Sequence, residues 1–346
     1  MVAGRVHSRL GRVHHSYSAG MNDLDSAPTP PTSEPEGPRH IRVADGLAGQ
    51  RLDVGLARAL DVSRAEARRL LSSGAVRTRE RPEDDERIAS LSEKGRLLAD
   101  FEVITVGDFV PPEDRRVAPE PGLALRVLDR GPGWLAVDKP AGMPVHPLQV
   151  GESGSALAFV ASLHPEVHGV GEGSLRSGVV HRLDVDTSGA LLFATEAKTW
   201  RRLRDAFAEH RVAKTYRAVV AGELRHAMTQ QLGLYVARHR PAFVRVAEAG
   251  QTDGVRIAEQ RVEPIEALRG ATLVEVRPVT GFLHQIRATL AHIGHPVLGD
   301  ETYAPADVAS QASRQLLHAA RVGFEEVEAH APDPADFSNV VDRLRE

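Results

Sequence analysis

The 346-residue chain contains no cysteine. That excludes disulfides, cysteine nucleophiles, thiolate zinc sites and iron–sulfur clusters together. It also fits a reducing compartment. No apolar run approaches the roughly 20 residues that a membrane-spanning helix needs, so no membrane partner is expected. Aromatic residues are scarce, at 4%, with two tryptophans and four tyrosines, which is poor provision for a cleft that stacks sugars. An excess of positive charge is also missing. Lys and Arg number 43 against 47 Asp and Glu, for a net charge of -4. A polyanionic partner would therefore have to meet a local basic patch rather than a basic whole.

What is present is a globular composition, 42% hydrophobic, and a length that suggests about two domains. Residues 1–40 read as a disordered extension. Arg5, Arg9 and Arg12 stand in an acid-free start, and Pro28, Pro30, Pro31, Pro35 and Pro38 follow in a Ser/Thr/Glu-rich stretch. An arginine-rich, acid-free start is also the form of a transit peptide, and Met21 is an alternative start; the expected localisation is cytoplasmic.

Residues 41–106 read as a small α/β module. Leu52, Leu56 and Leu60 form one helical stripe. Ser63 and Glu66 form a capping box opening a second helix over 64–72, stopped by Gly74. Arg64 and Arg68 are i,i+4 neighbours, with Arg69 beside them and Arg51 upstream. Like charges this close repel, so they need solvent or an anion: a solvated helix face, or a surface for phosphate. Residues 107–122 carry Pro111, Pro112, Pro119, Pro121 and Gly122 and read as a linker. Residues 123–340 read as one mixed α+β domain. Strands are expected over 123–128, 134–138, 190–194, 215–220 and 273–277, and helices over 196–209 and 284–293.

Three segments carry chemistry. In Gly178-Val179-Val180-His181-Arg182-Leu183-Asp184-Val185-Asp186-Thr187-Ser188-Gly189 a polar loop sits between apolar strands, where reactive groups are displayed and where unpartnered polar side chains are expensive. Asp186, Thr187 and Ser188 are accounted for by local turn bonds, and Asp184 by an ion pair with an arginine. In Lys214-Thr215-Tyr216, alternation puts Lys214 and Tyr216 on one strand face, which ordinary sheet packing also explains. In the stretch from Thr280 to Asp300, His284, Arg287 and Ala291 share a helix face. An arginine on an apolar helix is rarely buried unpaired, and Asp184 is its natural partner. A metal site is not expected, because His181, His284, His292 and His295 lack metal-ligand spacing with carboxylates. A glycosidase could use Asp184 and Asp186, which an extended strand would hold roughly 7 Å apart.

These segments, in this order, resemble the pseudouridine synthases, specifically the RluA-type subfamily. Residues His181 to Gly189 look like its catalytic signature, and Asp138-Lys139-Pro140-Ala141-Gly142-Met143-Pro144-Val145-His146-Pro147 looks like its first motif. Lys214-Thr215-Tyr216 and His284-Gln285-Ile286-Arg287 are similar to its tyrosine and arginine motifs. Leu316-Leu317-His318-Ala319, with Asp336-Phe337, is similar to its closing segment. Residues 41–106 resemble the alpha-L RNA-binding module shared with a small-subunit ribosomal protein. The resemblance implies an α+β fold with a mixed, mainly antiparallel sheet around a central cleft. It implies isomerisation of uridine in RNA to pseudouridine by base flipping, without metal or organic cofactor. The implied substrate is large-subunit (23S-type) rRNA, with tRNA as the alternative, and the implied state is a monomer.

By the same resemblance Asp184 is the catalytic aspartate, Tyr216 the ring beside the target base and Arg287 the partner of the aspartate. Arg182 matches a residue that can enter the helix where the base left. His181, Thr187, Lys214, His284 and Gln285 join it in binding substrate, and Arg51, Arg64, Arg68 and Arg69 would serve the RNA-binding module. The chemistry suits these types: the isomerisation exchanges no electrons, the acid must be ionised, and a neighbouring guanidinium favours the charged form. The sequence departs from the family pattern at Val185, where a basic residue is common, and at Phe282-Leu283. In the module, Arg77-Thr78-Arg79-Glu80 replaces an Asn-Gly turn and is followed by Glu83, Asp84, Asp85 and Glu86.

Overall fold

A computed structural model describes residues 38–44, 46–81, 83–107 and 115–346. The extension expected at the start, up to residue 37, and part of the expected linker lie outside them. The described residues form two compact units, one within 38–56 and 64–107, the other within 57–63 and 115–346.

The first unit carries a four-stranded antiparallel sheet. Its elements are β1 (Arg39–Arg42), α1 (Leu52–Ala59), α2 (Arg64–Ser73), β2 (Val76–Arg79), β3 (Arg87–Ile88) and β4 (Val103–Val106), with strand order β1-β4-β2-β3. The Leu52 and Leu56 stripe is fully buried, as helical spacing of leucines predicts. Val76 and Thr78 of β2 point inward and Arg77 outward, the period-two alternation of a half-buried strand. Where an Asn-Gly turn was expected after Val76, β2 runs on through Arg79.

The second unit is built on a ten-stranded mixed sheet. It begins with β5 (Arg126–Gly131) and β6 (Trp134–Lys139), then α3 (Ala156–Leu163), β7 (Ser188–Ala194), α4 (Ala197–Ala208) and β8 (Ala213–Ala221). A meander follows: β9 (Met228–His239), β10 (Ala242–Val246), β11 (Arg256–Leu268) and β12 (Ala271–Pro278). The chain closes with α5 (Gln285–His292), α6 (Ala306–Ala309), β13 (Leu317–Phe324), β14 (Val327–His330) and α7 (Ala335–Arg345). The order is β10-β9-β11-β12-β8-β13-β7-β6-β5, with β14 on β13. Pairing is antiparallel except between β7 and β13. The fold is therefore α+β with a mainly antiparallel sheet, as expected.

The parallel β7–β13 seam brings two distant segments together beside the polar loop. His318 pairs with Ser188 and Ala319 with Gly189. Gly189 has φ 117°, and a Cβ there would collide with the Ala319 carbonyl, so only glycine fits the seam. α3 is buried almost all round, with Val117 of the preceding segment packed into the same core. Glu120 N–H donates to the Ala158 carbonyl, which ties this segment to the helix. The apolar strand expected before the polar loop reduces to one bridge, Val179 to Phe193.

Candidate active site

The polar loop 181–187 hangs between Val180 and β7, and three groups hold it from below. Lys139, at the end of β6, is fully buried. Its ammonium donates to the carbonyls of Pro140 (2.9 Å), Met143 (2.8 Å) and Val185 (2.8 Å). Burial pulls it down to about 7, and the nearby Asp186 and Asp184 act against that. From the other side Arg314 donates to the Asp186 carbonyl (3.2 Å) and to Ser188 Oγ (3.2 Å). Gln315 donates to Thr187 Oγ1 at 2.8 Å. The Thr187 N–H closes a turn onto the Asp184 carbonyl. Asp184 and Asp186 therefore stand on a turn, not on an extended strand, and the spacing argument for a glycosidase loses its premise.

This framing leaves Asp184 half-buried, with 19% of its side chain exposed, on the wall of a cleft of about 700 Å³. Arg287, from α5, is 103 residues away in sequence and donates from Nη1 to Asp184 Oδ2 at 2.8 Å. The pairing expected from sequence is in place. The arginine has a second partner that sequence reasoning missed. Asp300, 1% exposed, takes Nε at 2.7 Å and Nη2 at 2.8 Å in a bidentate fork. Its Oδ1 also accepts the N–H groups of Thr302 and Tyr303. Burial disfavours the Arg287 charge, but the hydrogen bonds and charge of Asp300, with Asp184 behind them, raise it above its ordinary value. One guanidinium thus serves two carboxylates, and the triad carries a net charge of -1.

A second unpredicted residue is Tyr303. Its ring lies 5.2 Å from the Arg287 guanidinium, and its hydroxyl pairs with His284 Nδ1 at 2.9 Å while accepting the Val244 N–H. His284 adopts the left-handed conformation, φ 49°, as the residue before α5, a strain of order 1 kcal/mol for a non-glycine. That turn brings its Nε2 to 3.9 Å from Asp184 Oδ2. Burial holds the imidazole below its ordinary value, with Asp184 pulling the other way.

The remaining predicted residues divide by what their polar atoms already do. Tyr216 lines the cleft, and its hydroxyl makes no hydrogen bond among the described residues. Burial, reinforced by Asp184, pushes the phenol up, so it stays protonated at neutral pH. Arg182 is exposed on the cleft wall and forms no ion pair among the described residues. Lys214 donates to the carbonyls of Thr280 (2.8 Å) and Val279 (3.3 Å), and burial lowers it to about 8. His181 accepts the Leu192 N–H on Nε2 at 2.9 Å and stacks on Phe207. A backbone N–H only donates, so the ring carries its proton on Nδ1, and burial lowers the group to about 3. Gln285 accepts from Thr280 Oγ1 and the Phe282 N–H and donates to the Glu259 carbonyl. Thr187, Lys214, His181 and Gln285 therefore shape the cleft, each with at least one hydrogen-bonding atom committed to the frame around it.

In the N-terminal unit the arginines expected to face RNA converge on one acid. Asp53 is 0% exposed and accepts from Arg51 (3.2 Å), Arg64 (3.3 Å) and Arg68 (2.9 Å). Arg69 pairs instead with Glu66 at 2.8 Å. The anion that the crowded arginines require is thus inside the module.

Comparisons with known proteins decide the family. A family model described as RNA pseudouridylate synthase matches residues 133–292. A ribosomal large subunit pseudouridine synthase D of Zymomonas mobilis is 31% identical over 294 residues, 82% of this chain and 88% of its own length. An uncharacterized RNA pseudouridine synthase of Mycobacterium bovis is 32% identical over 319 residues, 89% of this chain and 98% of its own. The chain belongs to the RNA pseudouridine synthases. It is an isomerase acting on RNA, of the RluA type expected from its motifs. The fold agrees: the structure titled human RNA pseudouridylate synthase domain containing 1 aligns with TM-score 0.52 at 24% identity, covering 62% of this chain and 86% of that one.

Proposed function

We propose that this synthase isomerises a uridine of large-subunit rRNA, with Asp184 as the catalytic acid residue acting on the ribose. The observation that carries the assignment of Asp184 is its clamp: an ionisable oxygen opens into the cleft while its partner Arg287 is locked to Asp300 behind it. A carboxylate there can add to C1′ of the target nucleotide or take the C2′ proton; both routes break the C1′–N1 bond. The freed uracil then turns and bonds C1′ through C5. N1 gains a proton, C5 loses one, and no electron is exchanged, so the reaction needs no redox cofactor.

Tyr216, with its protonated hydroxyl, would stack on the uracil and relay the C5 proton. A paired uridine is reached only by flipping, at a cost of a few kcal/mol. Arg182, exposed on the cleft wall, can fill the vacated position and offset part of that cost. The N-terminal unit resembles the alpha-L module, and its arginine fan would add phosphate contacts. Two relatives named as large-subunit enzymes support rRNA over tRNA as substrate.

Pseudouridine mapping across total RNA of a strain lacking the gene tests this. One large-subunit position is expected to lose its pseudouridine and to regain it with the wild-type gene but not with Asp184→Asn. Loss at a tRNA position with rRNA unchanged would move the substrate to tRNA.

A further inference from the structure

We propose that the β9–β10 hairpin is a second RNA-docking surface, holding phosphates of the strand beyond the target nucleotide through Arg238, Arg240 and Arg245. The inference rests on the reading of the chain as an enzyme of RNA and adds a contact that the cleft does not supply. Residues 228–247 contain no acid. All three arginines are exposed; Arg238 Nε donates to the Pro241 carbonyl at 3.0 Å, and none of the three forms an ion pair among the described residues. Elsewhere in this unit exposed arginines commonly do, as Arg126 with Asp138, Arg225 with Glu223 and Arg261 with Glu263. In a chain of net charge -4, an acid-free strip of open guanidinium groups is a place where an external polyanion can supply the missing counter-charge.

The strip is also preorganised. Arg238 stands opposite Phe243 across the hairpin. The guanidinium groups of Arg238 and Arg245 lie 5.8 and 5.6 Å from the Phe243 ring centroid, a cation–π arrangement that limits their wandering. Phe243 in turn stacks on Tyr303 at 5.2 Å and 13°. Tyr303 holds His284 and underlies Arg287. The hairpin is therefore fixed to the wall of the cleft and not hung on a loose arm. Arg256, on the adjoining β11, lines the cleft and is also without an ion pair among the described residues, so open cations continue inward from the hairpin. Basic residues on an edge strand such as β10 also guard against edge-to-edge association. That role explains exposure and charge but not aromatic clamping.

The test is equilibrium binding of a fluorescein-labelled RNA stem-loop to the full chain over a KCl series. Replacing all three arginines with alanine should weaken binding about tenfold or more near 0.1 M salt and make the log K against log salt slope shallower by about 2. The triple lysine variant should keep most of the slope. Arg130→Ala with Arg201→Ala, two exposed arginines of β5 and α4, should leave it unchanged. An unchanged slope in the alanine variant overturns the proposal, as does an equal loss in the Arg130/Arg201 control. Because the readout is binding to a fixed probe, a wrong choice between rRNA and tRNA leaves it intact, whereas the mapping experiment is blind to it.

Discussion

The two units each bury an aspartate among arginines, in opposite proportions. In the N-terminal unit one acid, Asp53, serves three arginines, and the cluster keeps a net charge of +2 on half-exposed guanidinium groups. In the catalytic unit one arginine, Arg287, serves two acids, and the net charge of -1 is carried by the carboxylate that reaches the cleft. The same chemical pair thus makes a cationic surface in one place and a held anion in the other. What decides is the stoichiometry and which partner is fully buried. A buried acid gathers arginines outward, and a buried arginine presents an acid to the cleft.

The largest effect should come from breaking the catalytic cluster at its centre. Arg287→Ala leaves Asp300 buried without a counter-charge, at a cost of about 3–5 kcal/mol and a fall in melting temperature on the order of 10 °C. Turnover should collapse far more than RNA affinity; kinetics and binding measured side by side check this, and a loss of affinity alone would contradict the assigned role. Arg287→Met combined with Asp300→Leu separates stability from chemistry. Thermal stability should largely return, because both buried charges are gone, while activity stays absent.

A smaller effect should come from acid. Burial pushes Asp53 up, but the hydrogen bonds of Arg68, Arg64 and Arg51 outweigh it and bring the carboxyl to about 2, from an ordinary 3.8. A carboxyl lowered by folding stabilises above its unfolded value and stops doing so as pH falls through its folded one. The N-terminal unit should therefore lose about 1–2 kcal/mol between roughly pH 4 and pH 2, after allowance for solvent around the arginines. Acid titration of the wild type against Asp53→Asn, followed by circular dichroism, should show that step only in the wild type. The smallest effect is on binding. Arg64→Ala with Arg68→Ala should weaken RNA affinity and flatten its salt dependence by less than about 2 in slope. An unchanged slope would mean that Asp53 satisfies these arginines fully and that the outward charge is idle.

Much of the catalytic cluster could be read from the chain because each half lies in a distinctive local string. Asp184 stands in a polar run between apolar strands, and Arg287 on an otherwise apolar helix demands an acid. Asp300 was not assigned, since one carboxylate after a glycine looks like any turn. Its value comes from the fork it makes with Arg287, a proximity that only the tertiary fold creates. Tyr303 was hidden for the same reason. The β9–β11 meander was missed because its strands interleave Arg, Gln, Glu and Pro with small residues, weakening the period-two signal. α3 was missed because Ala156–Leu163 is apolar on every side and shows no stripe. The arginines of α2 are legible as a charge problem, but the solution lies in Asp53, an acid two residues past Arg51 whose burial nothing in the local sequence marks.

The bidentate fork between Arg287 and Asp300 has a consequence for the catalytic cycle. In the proposed reaction, by either route, Asp184 would give up its free negative charge for part of each turnover. A guanidinium that leaned on Asp184 alone would then be stranded in the interior and would have to swing or draw in water. Here the buried counter-ion stays at its post throughout, so the scaffold is electrically balanced at the very moment the reacting group is not, and the next uridine meets a site that never had to be rebuilt.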